Sequence, residues 1–498
     1  MLSVRALLVS TYDLGHQPFG LASPAAWLRR DGAEVRCVDL AKEKLADHEI
    51  READLIGFHL PMHTATRLAA PVLRKARGLN AGARICAYGL YAPLNEALLR
   101  SLGADAVFGG EYEADLATFA RDAGNGSARP NPERAANGAP VRPDLAAGPE
   151  ASTPISPGPA ASRRVTVPKL HFLVPDRTGL PPLARYSTLQ MGDGTSRVAG
   201  YTEASRGCRH LCRHCPIVPV YDGQFRVVQP DVVLADVKAQ IAAGARHITF
   251  GDPDFFNGPT HAMRIVDGLH AAHPSVSYDA TIKVEHLLQH RDLLPRLSAS
   301  GCLFVTTAVE SIDDHVLALL DKGHTRAGFV EAVSLCRAAG LSLVPTFVAF
   351  HPWTTLEGYC ELLRTIASLG LVDHVAPIQL AIRLLIPSGS RLLELETMRP
   401  FVGAFDSNTL TYRWAHADPR VDALHQEISA TVGRRLTADR RELFDAITTL
   451  AHERAALPRF SLSNLAGMAD LGDPAAIAHF DEPWYCCAEP NPEQLTLV

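Results

Sequence analysis

Short apolar runs alternate with helical stretches along the first 121 residues. Runs at 6–9, 34–38, 55–58 and 84–88 are separated by stretches at 23–30 and 66–77 that read as helices. Strand, helix, strand at this period predicts a parallel, doubly wound, Rossmann-like sheet over 1–121. The pattern lapses from Asp122 to Arg164, where Ala, Pro, Gly, Ser and Asn dominate, as in Pro154-Ile155-Ser156-Pro157-Gly158-Pro159. Too few large apolar residues remain there to repay ordering, so 122–164 reads as a disordered linker. Alternation then resumes, with strands expected at 198–204, 246–250, 276–281, 303–308, 343–350 and 375–385 and a helix at 231–243. Repeated βα units predict an α/β partial (β/α) barrel over 165–395, and such barrels carry function where strands end. Beyond Arg399 the pattern turns mostly helical, as at 420–435 and 438–454. A helical region at 396–480 that could cap the barrel mouth is expected, followed by a tail at 481–498.

Composition adds limits. At 498 residues, 47% hydrophobic and 20% charged, the chain has ordinary globular usage and room for several cores. No apolar run reaches membrane-spanning length, so no membrane partner is expected. The formal charge of -6, with scattered Arg pairs, argues against a nucleic-acid partner, because phosphate binding needs clustered Lys and Arg. Ten cysteines are too sparse for a stapled secreted domain, and no signal peptide opens the chain. The expected compartment is reducing cytoplasm.

Three of those cysteines fall within eight residues. Cys208, Cys212 and Cys215 stand in Gly207-Cys208-Arg209-His210-Leu211-Cys212-Arg213-His214-Cys215-Pro216. Thiolates at CxxxCxxC spacing in a tight loop can each ligate one iron of a 4Fe-4S cluster. A zinc knuckle completed by His210 or His214, or three buried core thiols, are the alternatives. The loop resembles that of the radical S-adenosylmethionine superfamily. That resemblance implies a 4Fe-4S cluster whose fourth iron accepts the amino and carboxylate groups of S-adenosylmethionine. It also implies an electron donor such as flavodoxin or ferredoxin.

Further candidates lie at the strand ends. Gly251-Asp252-Pro253-Asp254 stands where the superfamily has a Gly-Gly-Glu-like turn, so Gly251 would offer backbone carbonyls to the methionine ammonium and Asp252 or Asp254 would add charge. The alternative is a helix-capping turn. Glu310, in Val309-Glu310-Ser311, resembles the acid that reaches the ribose of S-adenosylmethionine, since a carboxylate can accept from two vicinal hydroxyls. Arg383 matches a basic residue near the methionine carboxylate; the alternative is a surface ion pair. Lys283 and Glu285 could face substrate, but nothing in the sequence fixes their direction.

Two further resemblances concern the ends of the chain. Pro18-Phe19-Gly20-Leu21-Ala22-Ser23-Pro24, then Gly32-Ala33-Glu34-Val35 and Val38-Asp39-Leu40, is similar to the amino-terminal domain of cobalamin-binding radical S-adenosylmethionine enzymes. A DxHxxG run is absent, and Asp13-Leu14-Gly15-His16 has the wrong spacing; many members of that group lack the histidine, so cobalamin stays a possible cofactor, with binding expected to be weak or absent. His16, His59 and His63 read as loop or core histidines. The closing Asp481-Glu482-Pro483-Trp484-Tyr485-Cys486-Cys487-Ala488-Glu489-Pro490 resembles the CUAEP/CCAEP-tail radical S-adenosylmethionine proteins. Adjacent Cα atoms lie below the usual disulfide range, so Cys486 and Cys487 are better suited to grasping a thiophilic atom such as arsenic or selenium than to bridging each other. They could also be two ordinary thiols of a frayed terminus. The sequence thus predicts a radical enzyme performing group transfer or carbon bond formation on a small molecule. A cobalamin-dependent radical methylase and a non-catalytic iron-sulfur or zinc protein are the competing readings.

Overall fold

The computed structural model describes residues 4–124, 163–435, 439–460, 477–482, 488–490 and 492–495. Strands β1 (Arg5–Ser10), β2 (Glu34–Asp39), β3 (Leu55–His59), β4 (Arg84–Tyr88), β5 (Ala106–Gly110) and β6 (Arg163–Thr166) form an all-parallel sheet in the order β2-β1-β3-β4-β5-β6. Leu7, Leu8, Val9, Ile56, Phe58 and Ile85 are fully or almost fully buried, as strands covered on both faces require. Helices Phe19–Arg30 and Glu113–Gly124 pack on one face, and the helix His63–Leu79 packs on the other.

The linker expected at 122–164 is shorter at both ends. Its first residues finish the helix Glu113–Gly124, and Arg163 and Arg164 open β6, parallel to β5. A four-residue edge strand beginning with two arginines has no hydrophobic signature of its own. Val165 and Val167 reach the core of the first domain, and pairing with β5 rather than local pattern fixes the strand. Residues 125–162 lie outside the described residues.

The second sheet contains β7 (Thr188–Gln190), β8 (Ser196–Thr202), β11 (His247–Phe250), β12 (Ser277–Thr281), β13 (Cys302–Glu310), β14 (Ser342–Phe347) and β17 (His479–Phe480). Its order is β14-β13-β12-β11-β8-β7-β17, and β8 to β14 run parallel in a curled half-barrel. β9 (Ser205–Gly207) and β10 (Phe225–Val227) form a separate antiparallel pair, and so do β15 (Val402–Asp406) and β16 (Thr411–Trp414).

The strand expected at 375–385 is not formed. Turns Val372–His374 and Pro377–Leu380 take its place, and one isolated bridge, Phe350 to Arg383, remains. Pro377 has no N–H to give a ladder, and the Phe347 amide instead donates to the Gln379 side chain at 3.0 Å. Helices Pro419–Gly433 and Arg440–Ala455 share the core of the half-barrel through Leu424, Ile428, Phe444 and Ile447.

Arg206 locks the two domains together. It lies two residues before Cys208, and its guanidinium meets Glu203 at 2.5 Å, Glu113 at 2.7 Å and Glu111 at 3.2 Å, the last two standing just beyond β5. Burial pushes the Glu111 carboxyl up to about 7, with the opposing pull of Arg206 too weak to hold it down. Removing one partner from a buried ionic network leaves its mates uncompensated. Arg206→Ala should therefore cost about 3–5 kcal/mol in urea unfolding, whereas substitution of exposed Arg5 should cost under about 1 kcal/mol. Equal effects would show that the network contributes nothing to the junction.

Candidate functional site

The three cysteines sit on a loop closed at its base by β9 and β10. Gly207 takes a left-handed φ of 75°, and a Cβ there would stand 2.4 Å from Tyr221 and 2.5 Å from the Gln224 carbonyl. Only glycine turns the chain into Cys208 at this point. Across the loop, the Arg213 amide donates to the Leu320 carbonyl at 3.0 Å, and Ser390 Oγ donates to the Arg213 carbonyl at 3.2 Å. The loop is thus pinned to the barrel from two sides.

Cys208 and Cys212 are buried and Cys215 is half-buried. Burial pushes the Cys208 thiol up to about 11 and the Cys215 thiol up to about 12. Lys283 Nζ lies 3.8 Å from Cys212 Sγ, and Lys322 is buried beside the same loop with Cys212 and Cys215 in its field. Two buried ammonium groups facing three thiols suit an anionic thiolate site.

Thiolates around one zinc would stand about 3.8 Å apart. The described ligand atoms that gather within 4.8 Å at this loop belong to Cys208, His210 and Asp254, without Cys212 or Cys215. The other described cysteines, such as Cys302, Cys336 and Cys360, are buried core residues, so among the described residues this loop alone groups three sulfur donors.

The acidic candidates have defined partners. Asp252 accepts from the Ala204 amide at 2.8 Å and from Ser205 Oγ at 2.5 Å, joining the end of β11 to the entry of the loop. Burial pushes its carboxyl up to about 7. Asp254 accepts from the Phe256 amide at 3.2 Å, as in the capping alternative, and meets His286 Nδ1 at 2.7 Å. His286 in turn lies 3.3 Å from His210, so His210 belongs to this polar group. Gly251 is required for a close approach, since a Cβ would stand 1.8 Å from Tyr201 Oη.

Glu310 ends β13 in the left-handed region, φ 66°, where the register with β14 shifts. A non-glycine residue held there is strained, and such strain gathers at functional sites. Its Oε1 meets His214 Nε2 at 3.1 Å and Lys322 Nζ at 3.3 Å. Burial opposes ionisation, but Lys322 and His214 outweigh it and hold the carboxyl down at about 2. His324 lies in the fields of Lys322, Lys283 and Glu310, with both ring nitrogens buried.

Arg383 is placed differently from the other candidates. Its guanidinium pairs with Asp422 at 2.7 Å, donates to the Trp414 carbonyl at 3.0 Å and stacks over the Trp414 ring. It lines a cavity of about 550 Å³ together with His425, Ala488, Glu489 and Pro490. Lys283 and Lys322 supply the buried positive charge at the cysteine loop. The direction of Lys283 could not be read from sequence, because it depends on where β12 ends.

Cys486 and Cys487 lie outside the described residues, but both flanks are described. β17 pairs antiparallel with β7, and Asp481 accepts from Ser187 Oγ at 2.5 Å and from the Thr188 amide and hydroxyl at 2.9 Å each. Tyr12 donates to Glu482 at 2.9 Å. Beyond the pair, Thr64 donates to the Ala488 carbonyl at 2.9 Å, and Glu489 meets His63 at 3.0 Å and Arg67.

The three-thiol loop stands beside the parallel strands of the half-barrel. Residues 202–366 match the family described as Radical SAM superfamily, so the half-barrel carries a radical SAM domain, for which a 4Fe-4S cluster and S-adenosylmethionine are the implied cofactors. Over 194 residues it is 25% identical to a tRNA-2-methylthio-N(6)-dimethylallyladenosine synthase of Desulfosudis oleivorans, covering 35% of this chain and 39% of that protein. The chain therefore spans about two fifths of that relative's length. In fold it is similar to the cobalamin-dependent S-adenosylmethionine radical enzyme OxsB (TM-score 0.64, 14% identity, 91% of this chain and 72% of that one). It is also similar to the radical S-adenosylmethionine methyltransferase TsrM from Kitasatospora setae (TM-score 0.57, 16% identity, 95% and 97% covered). No described helix is long and apolar enough to cross a membrane.

Proposed function

We propose that this enzyme directs a radical, or a group taken from the sulfonium of S-adenosylmethionine, to a small thiophilic substrate held by Cys486 and Cys487. The observation that carries the reading is the fastening of the chain on both sides of that pair, at Asp481 and Glu482 before it and at Ala488 and Glu489 after it. Two ordinary thiols on a frayed end need no such anchors.

Cys208, Cys212 and Cys215 would hold the cluster, which when bound supplies the electron that breaks a carbon-sulfur bond of S-adenosylmethionine. Lys283 and Lys322 offset the charge of the three thiolates. Glu310 is kept ionised by Lys322 and His214, and both contacts fall on Oε1, so Oε2 serves as acceptor for a ribose hydroxyl. Asp252 and Asp254 hold the 251–257 turn against the loop, and the backbone at Gly251 serves the methionine ammonium. A net charge of -6 favours a small-molecule substrate over the RNA acted on by the tRNA-modifying relatives.

Arsenite titration of the cluster-loaded enzyme tests the substrate class. The parent should lose about two more reactive thiols per chain than the Cys486→Ser, Cys487→Ser protein, because arsenite prefers a pair of soft sulfurs. Equal losses would remove arsenic from the reading. The fold likeness to cobalamin-dependent enzymes favours a second reading, a radical methyltransferase, which depends on what occupies the first domain.

A further inference from the structure

In an open parallel sheet the ligand crevice lies at the carboxyl ends of the strands, where the strand order reverses. In the amino-terminal sheet that point falls between β1 and β3, because β2 lies on one side of β1 and β3 on the other. The loops that leave there are 11–17 and 60–63. A ligand of this domain would meet Tyr12, Gly15, His16, His63 and Thr64.

The chain's own carboxyl-terminal segment meets all five. Tyr12 donates to Glu482, and a Cβ on Gly15 would stand 2.9 Å from Glu482 Oε2. The His16 ring is packed between Tyr201, at 4.9 Å, and Phe480, at 5.3 Å, and burial lowers its pKa to about 4. Thr64 and His63, both fully buried, hold the Ala488 carbonyl and the Glu489 carboxylate. The helix His63–Leu79 has no side-chain cap and no acid in its own first turn. Glu489 supplies both the negative charge and a hydrogen-bond acceptor at that end, with Arg67 as its second partner. His59, the remaining histidine of this edge, is packed against Tyr88 and Gly20.

We propose that the carboxyl-terminal tail is the resident occupant of the ligand crevice of the amino-terminal domain, so that docking of the tail and binding of a corrinoid exclude each other. The donors present do not fit cobalamin: His16 is a packing residue, His63 is committed to Glu489, and tail residues fill the reversal point. The fold of a cobalamin domain is retained here as a dock. Its product is a fixed path for the chain on either side of Cys486 and Cys487. The inference concerns what fills the crevice, and stands or falls separately from what those cysteines hold.

Hydrogen exchange by mass spectrometry on the full-length protein tests it. In the parent, amides of 62–66 and of 478–482 and 488–489 should be protected together. Glu489→Lys, which reverses the charge facing His63 and Arg67, should speed exchange in both regions about ten-fold or more while the 205–227 loop is unchanged. The charge swap Arg67→Glu, Glu489→Arg should restore part of that protection, which separates a lost contact from general misfolding. Hydroxocobalamin followed by desalting should leave the parent colourless in the corrinoid bands and its tail protection unaltered. Stoichiometric retention of cobalamin by a parent whose tail stays protected would overturn the exclusion. A tail exchanging at free-peptide rates, or Glu489→Lys without effect at 62–66, would overturn the docking itself.

Discussion

Replacing any one of Cys208, Cys212 and Cys215 with alanine should abolish both the cluster and turnover of S-adenosylmethionine. The parent, reconstituted without air, should hold about four irons and four sulfides per chain. Each variant should lose most of that iron and its visible absorption, with S-adenosylmethionine cleavage down at least about a thousand-fold. The effect is total because the loop contributes three sulfurs and the other described cysteines lie in cores, so no described thiol can substitute. Alanine at Cys336 or Cys360, both core residues, should leave iron content unchanged. Iron retained by the Cys212→Ala protein would mean that the cluster is held elsewhere.

How much of this was legible before the structure depends on whether a feature is local. The spacing of the three cysteines is local, and so are the apolar runs that became β1 to β4, β8 and β11 to β14. The strand β6 and the failed strand at 375–385 are tertiary events: one is made by pairing with β5, the other is undone by Pro377 and the Gln379 side chain. Arg206 reads as one arginine among many, and only the fold brings Glu111 and Glu113 from the other domain against it. Glu310 could be picked out by resemblance, but its left-handed backbone and its lysine partner could not. Arg383 is the opposite case, since its motif position suggested a ligand whereas its guanidinium is held by Asp422 and Trp414.

Changing Cys486 and Cys487 to serine should separate the two halves of the reaction. Serine keeps the shape but loses the soft, easily ionised donor. The double variant should keep its iron and should cleave S-adenosylmethionine without coupling at a rate within about two-fold of the parent, while product formation falls at least about a hundred-fold. A structural role for the pair would instead lower iron content and cleavage together. The Glu489→Lys protein offers an internal comparison: both cysteines are present, but their downstream anchor is lost, and product should fall while uncoupled cleavage persists. Full product formation by the serine variant would leave the cysteines as ordinary thiols of a chain end.

If the loop at 208–215 carries a redox cluster that breaks S-adenosylmethionine, one assay reaches it most directly. Protein purified and reduced without air is mixed with S-adenosylmethionine, and the nucleoside products are quantified beside the metal content. Iron and sulfide at the cluster ratio, with release of 5′-deoxyadenosine or methylthioadenosine that depends on reductant, is the predicted result. Zinc in place of iron, with S-adenosylmethionine recovered intact, would contradict it.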